Sequence, residues 1–198
     1  MVLPLSLSEL REVAAFAVAC AQPALPIVGR DRPDDGRPHA AVEAARAFAE
    51  GGERVGALRD TAWAAHRSAQ EARDAGQAAA SEAARAAGHA AGAAFLHPLA
   101  DATQVRHILG AAAHSARALE LADPDEGEAH IARARDLAGP VVPEVLRRYP
   151  AAPPGGGRVG ELMRRLDASL RPPHLTVSAG ASAPSPCAAP GWCPRRSA

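Results

Sequence analysis

The chain has 198 residues, carries 22 basic and 22 acidic side chains, and is only 3% aromatic. It therefore lacks both the positive charge and the stacking side chains that nucleic-acid binders use, and we expect no nucleic-acid partner. All the basic residues are arginine, which excludes P-loop and Schiff-base lysines, and roughly a quarter of the chain is alanine, the strongest helix former.

Eight helical segments are predicted, beginning at Ser6. Ser6 and Glu9 have capping-box spacing, and the first helix should end near Gln22, where Pro23 and Pro26 disrupt it. The other segments are approximately 39–50, 54–75, 77–96, 101–122, 123–139, 141–149 and 158–170. No period-two strand pattern is present, so the predicted fold class is an all-α bundle of about seven to eight helices.

Residues 1–171 are predicted to form one helical domain, followed by a tail. The composition of residues 172–198 is rich in Pro, Ser, Ala and Gly, which predicts a disordered tail. The stretch "GGGRVG" before the last helix matches a dinucleotide fingerprint by spacing, but two prolines precede it where a strand is required. We therefore interpret it as a linker.

The most apolar stretch is "VAAFAVACAQPALPIV", which Gln22, Pro23 and Pro26 interrupt. We therefore expect no apolar run long enough to span a membrane, and no membrane partner. Three cysteines form no disulfide framework, so reduced thiols in a cytoplasmic protein are expected.

The fifth predicted helix carries an apolar stripe and two histidines opposite it. Val105, Ile108, Leu109, Ala112, Ala116 and Leu119 form the stripe. His107 and His114 are seven residues apart and share the other face, flanked by Thr103, Arg106, Gly110 and Arg117. Three interpretations remain open for this face: a solvated surface, a contact with a second helix packed over Gly110 and Ala111, or a binding surface.

Other polar residues have structural interpretations beside functional ones. His66 and Arg59 lie at the edge of the third helix's stripe (Val55, Leu58, Ala62, Ala65, Ala69), where hydrogen bonding to a neighbouring helix is expected. His97 precedes Pro98 at a helix break, where a side chain often satisfies free backbone groups. Asp34 and Asp35 could act as acid and base, but acids that cap the next helix are commoner.

No catalytic motif appears. The sequence has no HExxH, no paired CxxC and no nucleophile in a strand-turn-helix elbow. His107 and His114 alone make a weak metal site, because zinc sites need closer spacing and further ligands. We therefore predict no cofactor and no metal.

Four stretches together resemble a known family: "LSELREVAAFAVACA", "DDGRPHAAVEAARAFAEG", "ALRDTAWAAHRSA" and "FLHPLADATQVRHILGAAAHSARALELA". The chain is similar over about residues 6–171 to small all-helical bacterial immunity proteins of polymorphic-toxin systems, some of which carry an exonuclease-like label. The residues that match the shared motifs are Asp35, Arg37, Pro38, Glu43, Arg46, Arg59, Trp63, His66, His97, Pro98, Gln104, His107 and Gly110.

The resemblance implies a protein that binds a cognate toxin domain and blocks it without catalysis. The candidate partner-binding residues are Asp34, Asp35, Arg37, Arg106, His107, Gly110 and His114, and those with expected structural roles are Arg59, His66, His97 and Gln104. Two alternatives remain. One is a helical scaffold without a toxin link. The other is a metal-dependent hydrolase that would use His66, His97, His107 and Asp101 or Asp35.

Overall fold

The computed structural model describes residues 3–171, and over this range the chain forms a bundle of nine α-helices without a β-strand. The helices are α1 (Leu7–Ala21), α2 (Leu25–Asp31), α3 (Arg37–Ala49), α4 (Gly56–Asp74), α5 (Ala78–Ala93), α6 (Val105–Ala122), α7 (Glu126–Leu137), α8 (Val141–Arg147) and α9 (Gly157–Leu170). Short 3-10 turns at Gln22–Ala24 and Ala102–Gln104 precede α2 and α6. The predicted all-α fold is confirmed; the predicted disordered tail, 172–198, lies outside the described residues.

The start of α1 follows the predicted capping box. The Ser6 hydroxyl accepts the backbone N–H of Glu9 at 3.2 Å, and the Glu9 carboxylate accepts the backbone N–H of Ser6 at 2.8 Å. The Glu9 carboxylate also accepts a hydrogen bond from Arg148 at 2.5 Å, and this guanidinium lowers the pKa of Glu9 to about 2. One carboxylate therefore both caps α1 and joins it to the end of α8.

The prolines after α1 do not separate it from α2 as expected. Pro23 and Pro26 occupy first-turn positions of the 3-10 turn and of α2, where the missing N–H would have no helical partner in any case. A continuous helical stretch, Leu7–Asp31, results. It is long and apolar enough, by length and composition alone, to cross a membrane, although 56% of its most apolar window is buried inside the bundle. The expectation that no segment reaches that length is therefore wrong.

Helix α5 is the centre of the bundle and packs against α1, α3, α4 and α6. Its buried residues are all alanine, serine or glycine, so neighbouring helices approach it closely. A Cβ on Gly88 would lie 3.0 Å from two atoms of the His66 ring, and one on Gly92 would lie 3.8 Å from Nδ1 of His107. These two glycines therefore let the α4 and α6 side chains approach α5 closely.

Helix α6 is covered on both sides. The predicted apolar stripe is confirmed, since all its members except the partly buried Leu119 are 0% exposed. The opposite face is also covered, because α5 packs across it; its buried residues include Gly110, Ala111, Ala113 and Ser115. Of the three interpretations of this face, the contact with a second helix is therefore the one that the structure bears out.

Helix α4 follows its predicted stripe with one exception. Leu58, Ala62, Ala65 and Ala69 are buried, whereas Val55 is 47% exposed because α4 begins at Gly56, one residue after it.

The predicted linker "GGGRVG" contains the start of α9, and Gly155, Gly156 and Gly157 all have positive φ. Side chains rarely adopt this backbone conformation, so glycine is required for the turn.

Candidate functional site

The two histidines on the polar face of α6 are largely enclosed against α5, as the interpretation with a second packed helix predicts. His107 is partly buried and its Nδ1–H donates to the backbone oxygen of Gly92 at 2.9 Å. The His114 side chain is 15% exposed, and its Nδ1–H donates to Glu82 Oε2 at 2.6 Å. Gly110 is buried beneath His89. The solvated-surface interpretation is therefore wrong, because the small-residue helix α5 covers this polar face.

Four aromatic rings from three helices form a continuous row, which we call the histidine row: Trp63, His66, His89 and His114. The centroids of Trp63 and His66 on α4 are 6.1 Å apart, and those of His66 and His89 are 5.5 Å apart, both edge to face. The His89 ring then stacks on His114 at 4.8 Å with 13° between the planes. The row therefore crosses the α4–α5–α6 layer.

Glycine makes the row possible. The His66 ring rests on Gly88, and the His89 ring rests on Gly110, where an added Cβ would lie 2.7 Å from Nδ1 of His89. A side chain at Gly110 would therefore occupy the space of the imidazole. Trp63 at the outer end is 60% exposed, the largest value among the exposed large apolar residues of the described chain.

The inner members of the row are held in the neutral form. Burial lowers the pKa of His66, and the positive charge of Arg85 adds to this effect. Burial lowers the pKa of His89 well below its usual value, with smaller contributions from the neighbouring histidines and Arg106. Burial likewise lowers the pKa of His107. These rings are therefore uncharged near neutral pH and act as packing groups, and His107 also acts as a hydrogen-bond donor.

The row ends in a cleft of about 380 Å³, which we call the cationic cleft. Its floor consists of Glu82, Arg85, His89, Arg106 and His114 from α5 and α6. The opposite wall comes from the loop before α9 and from α9 itself: Pro153, Pro154, Gly155, Gly156, Val159, Gly160 and Met163. Of the residues predicted to bind a partner, Arg106 and His114 line this cleft directly, and Gly110 supports it through His89.

Sequence reasoning missed Glu82, Arg85 and His89, which are three of the five floor residues of the cleft. A signal for them is present. The three residues follow each other at i, i+3 and i+7, which places polar side chains on one face of a helix otherwise made of small residues. This face of α5 has no large apolar side chain to pack in a core, and its polar residues therefore indicate a polar site.

The other predicted partner-binding residues, Asp34, Asp35 and Arg37, lie before and at the start of α3, where they line a separate depression. The Asp35 carboxylate accepts the Ser68 hydroxyl at 2.7 Å and the Arg37 guanidinium at 2.8 Å, and the Arg37 charge holds the pKa of Asp35 far below its usual range. Arg37 also donates to Glu71 at 2.9 Å. Asp35 and Arg37 therefore clamp α3 to α4, whereas Asp34 is exposed.

Three of the residues expected to have structural roles, Arg59, His97 and Gln104, lie near the break after α5, where Arg59 and His97 line the same depression. The Arg59 guanidinium lies 4.8 Å from the centre of the Phe95 ring. The Gln104 side-chain oxygen accepts the backbone N–H of His97 at 2.9 Å, and Tyr149 donates to the His97 carbonyl at 2.9 Å. The break after α5 is thus satisfied by Gln104 and Tyr149, while the His97 side chain, expected to do this, is on an exposed residue.

The residues of the hydrolase alternative are not assembled into a site. Asp101 caps the 3-10 turn by accepting the N–H of Thr103, and Asp35 belongs to the α3 clamp. His107 is bound to a backbone carbonyl of α5, and His97 lies on the connection after it. Within residues 3–171, no three His, Cys, Asp or Glu side chains are close enough to hold a metal ion together.

Residues 4–138 match the family described as Imm-5 like putative immunity protein. The chain belongs to this family. The match confirms the resemblance seen in the sequence, and it includes every floor residue of the cationic cleft, whereas the opposite wall lies beyond the matched residues. No curated protein and no solved structure matches the chain.

Proposed function

We propose that this protein binds a toxin domain and blocks it by occlusion in the cytoplasm, without catalysing a reaction. Membership in an immunity family supports the class of function. The proposal adds that the toxin contacts the surface formed by the histidine row and the cationic cleft.

The exposed Trp63 at the outer end of the histidine row is the observation that supports this proposal most strongly. A tryptophan that is 60% exposed leaves most of its surface free to contact another molecule, and tryptophan and arginine are among the residue types most enriched in interface hot spots. Arg106 is exposed and Arg85 partly exposed at the other end of the row. The surface therefore offers an aromatic anchor and charged anchors on rigid helices.

Co-expression with a cognate toxin domain tests the proposal. The protein should restore growth, and the purified pair should elute as one complex. Occlusion requires stoichiometric amounts, so inhibition in vitro should end at a fixed molar ratio. Protection by far less than one equivalent would indicate an enzyme, and no protection at all would indicate a scaffold without a toxin link.

A further inference from the structure

Two arginines in the cationic cleft stand apart from most of the others. Most arginines of the described chain bond a carboxylate or a backbone carbonyl, as Arg158 does with Glu120 and Arg148 with Glu9. Arg85 and Arg106 make no ion pair and no side-chain hydrogen bond with any residue in 3–171, yet both line the same cavity. Two unpaired guanidinium groups facing one cavity indicate a binding site for an anionic group.

The charges around the cavity leave it positive. Glu82 is the only acidic residue among the lining residues, and its carboxylate already accepts the hydrogen bond of His114. His89 is neutral because burial holds its pKa well below its usual value. Two guanidinium charges therefore face a single carboxylate, and an incoming anion would restore the balance.

The opposite wall is held in place without a ligand. Arg164 donates to the carbonyls of Pro153 at 3.1 Å and Gly155 at 2.6 Å, which fixes the loop before α9. Val159 and Met163 add apolar surface from α9. The cavity thus combines an apolar wall with a cationic floor, a combination that suits the methylene stem and the carboxylate of an acidic side chain.

We propose that the cationic cleft binds a carboxylate side chain from an acidic segment of the toxin domain, an inference that rests on the proposed function. A guanidinium binds a carboxylate through paired, charge-assisted hydrogen bonds. A protein segment is favoured over a free anion because His89 and His114 belong both to the cleft and to the row that leads to the exposed Trp63. An acidic segment in the cleft could therefore continue across the row.

A titration of the full chain with a hexaglutamate peptide, followed by NMR of the arginine side-chain N–H and histidine ring resonances, tests the cleft without the toxin. The peptide should shift the signals of Arg85, Arg106 and His114. The R85Q/R106Q variant should bind it at least about tenfold more weakly, the loss expected for removing charge-assisted hydrogen bonds. R147Q is the matched control, since Arg147 is an exposed arginine on α8 that also has no ion pair among the described residues.

Unchanged peptide binding by R85Q/R106Q, or no binding by the wild type, would overturn the inference. Inorganic phosphate is titrated in parallel, and phosphate binding in the cleft without peptide binding would also overturn it. Arg106→Gln alone serves if the double variant does not fold, because Arg106 is exposed.

The same variants are then measured against the toxin domain. R85Q/R106Q should weaken toxin binding at least about tenfold and reduce its salt dependence, while R147Q should not. A toxin that binds both variants equally well refutes the cleft but not the proposed function. A wild-type protein that binds no toxin refutes the proposed function. The peptide titration then shows separately whether the cationic cleft binds carboxylates.

Discussion

At the scale of single residues, several histidines are buried although polar residues of this type are usually found at the surface, and glycines make room for two of their rings. His89 fits only because Gly110 has no side chain, and His66 rests on Gly88 in the same way. His130 on α7 is 1% exposed, and burial together with the nearby Arg133 charge lowers its pKa to about 4. Burial also raises the pKa of the free Cys20 thiol to about 12, so this thiol stays protonated.

Gly110→Ala should destabilise the protein by about 1–3 kcal/mol, the usual cost of overpacking. The added methyl would lie 2.7 Å from Nδ1 of His89, so that ring must move and its stacking on His114 must change. Urea unfolding gives the free energy difference. Gly29→Ala is the matched control: it lies in α2 with open space around a new Cβ, and should be neutral or stabilising by up to about 1 kcal/mol. Equal effects of the two substitutions would contradict the close packing of His89.

His130→Leu should reduce the loss of stability in acid. A histidine whose pKa is lower in the folded state than in the unfolded state binds its proton preferentially when unfolded. Its stabilising contribution is therefore complete above about pH 6.5 and is lost as the pH falls towards about 4. Between pH 7 and about pH 4.5, the variant should lose about 2 to 3 kcal/mol less than the wild type.

Urea unfolding at the two pH values measures this difference, and the exposed His39, replaced by leucine, is the control. A variant with the pH dependence of the wild type would show that His130 does not titrate in this range.

At the scale of helices, the period of apolar residues and the capping residues were enough to place all eight predicted segments. Ser6 and Glu9 indicated where α1 begins, and Asp101 indicated where the turn before α6 begins. The periodicity could not show what covers the second face of α6, because α5 contributes alanines and glycines that carry little amphipathic signal. It also could not show that Pro23 and Pro26 stand at helix starts, which depends on where the chain turns.

Leu109→Ala should cost about 2–5 kcal/mol, since Leu109 is 0% exposed on the stripe of α6 and its removal leaves a cavity. Thermal and urea unfolding measure the loss. Leu121→Ala near the end of the same helix is the comparison, because Leu121 is 39% exposed and should cost far less. A loss below about 1 kcal/mol for Leu109 would mean that this face of α6 is not a packed core.

The structure also changes what is expected of the paired histidines on α6. Replacing both His107 and His114 with alanine would leave stability nearly unaltered if the two were exposed, but His107 is hydrogen-bonded to Gly92 and only His114 lines the cleft. The double substitution would therefore change both the stability of the fold and the affinity for the toxin. Variants at exposed residues change the affinity alone.

At the scale of the whole molecule, equal numbers of acidic and basic residues conceal an uneven surface. Within residues 3–171, most arginines pair with a carboxylate, as in the clamp between Asp35 and Arg37, whereas Arg85 and Arg106 have no ion pair there and line one cleft. The net charge of zero therefore argued against a surface that is basic throughout, but it could not show that one cleft is locally basic. The family was recognisable from motifs in sequence, but the floor of the cleft depends on α5 crossing α6, which no local pattern shows.

The affinity of the toxin domain for Trp63→Ala, compared with Leu137→Ala, tests the central claim most directly. Both side chains are exposed, at 60% and 50%, but Trp63 lies on the histidine row and Leu137 at the end of α7. Both variants should fold normally. Calorimetry should show Trp63→Ala binding the toxin at least about tenfold more weakly, a loss of about 1.4 kcal/mol, with Leu137→Ala unchanged. An unchanged affinity for Trp63→Ala with a weakened one for Leu137→Ala would contradict the account and place the interface on another face.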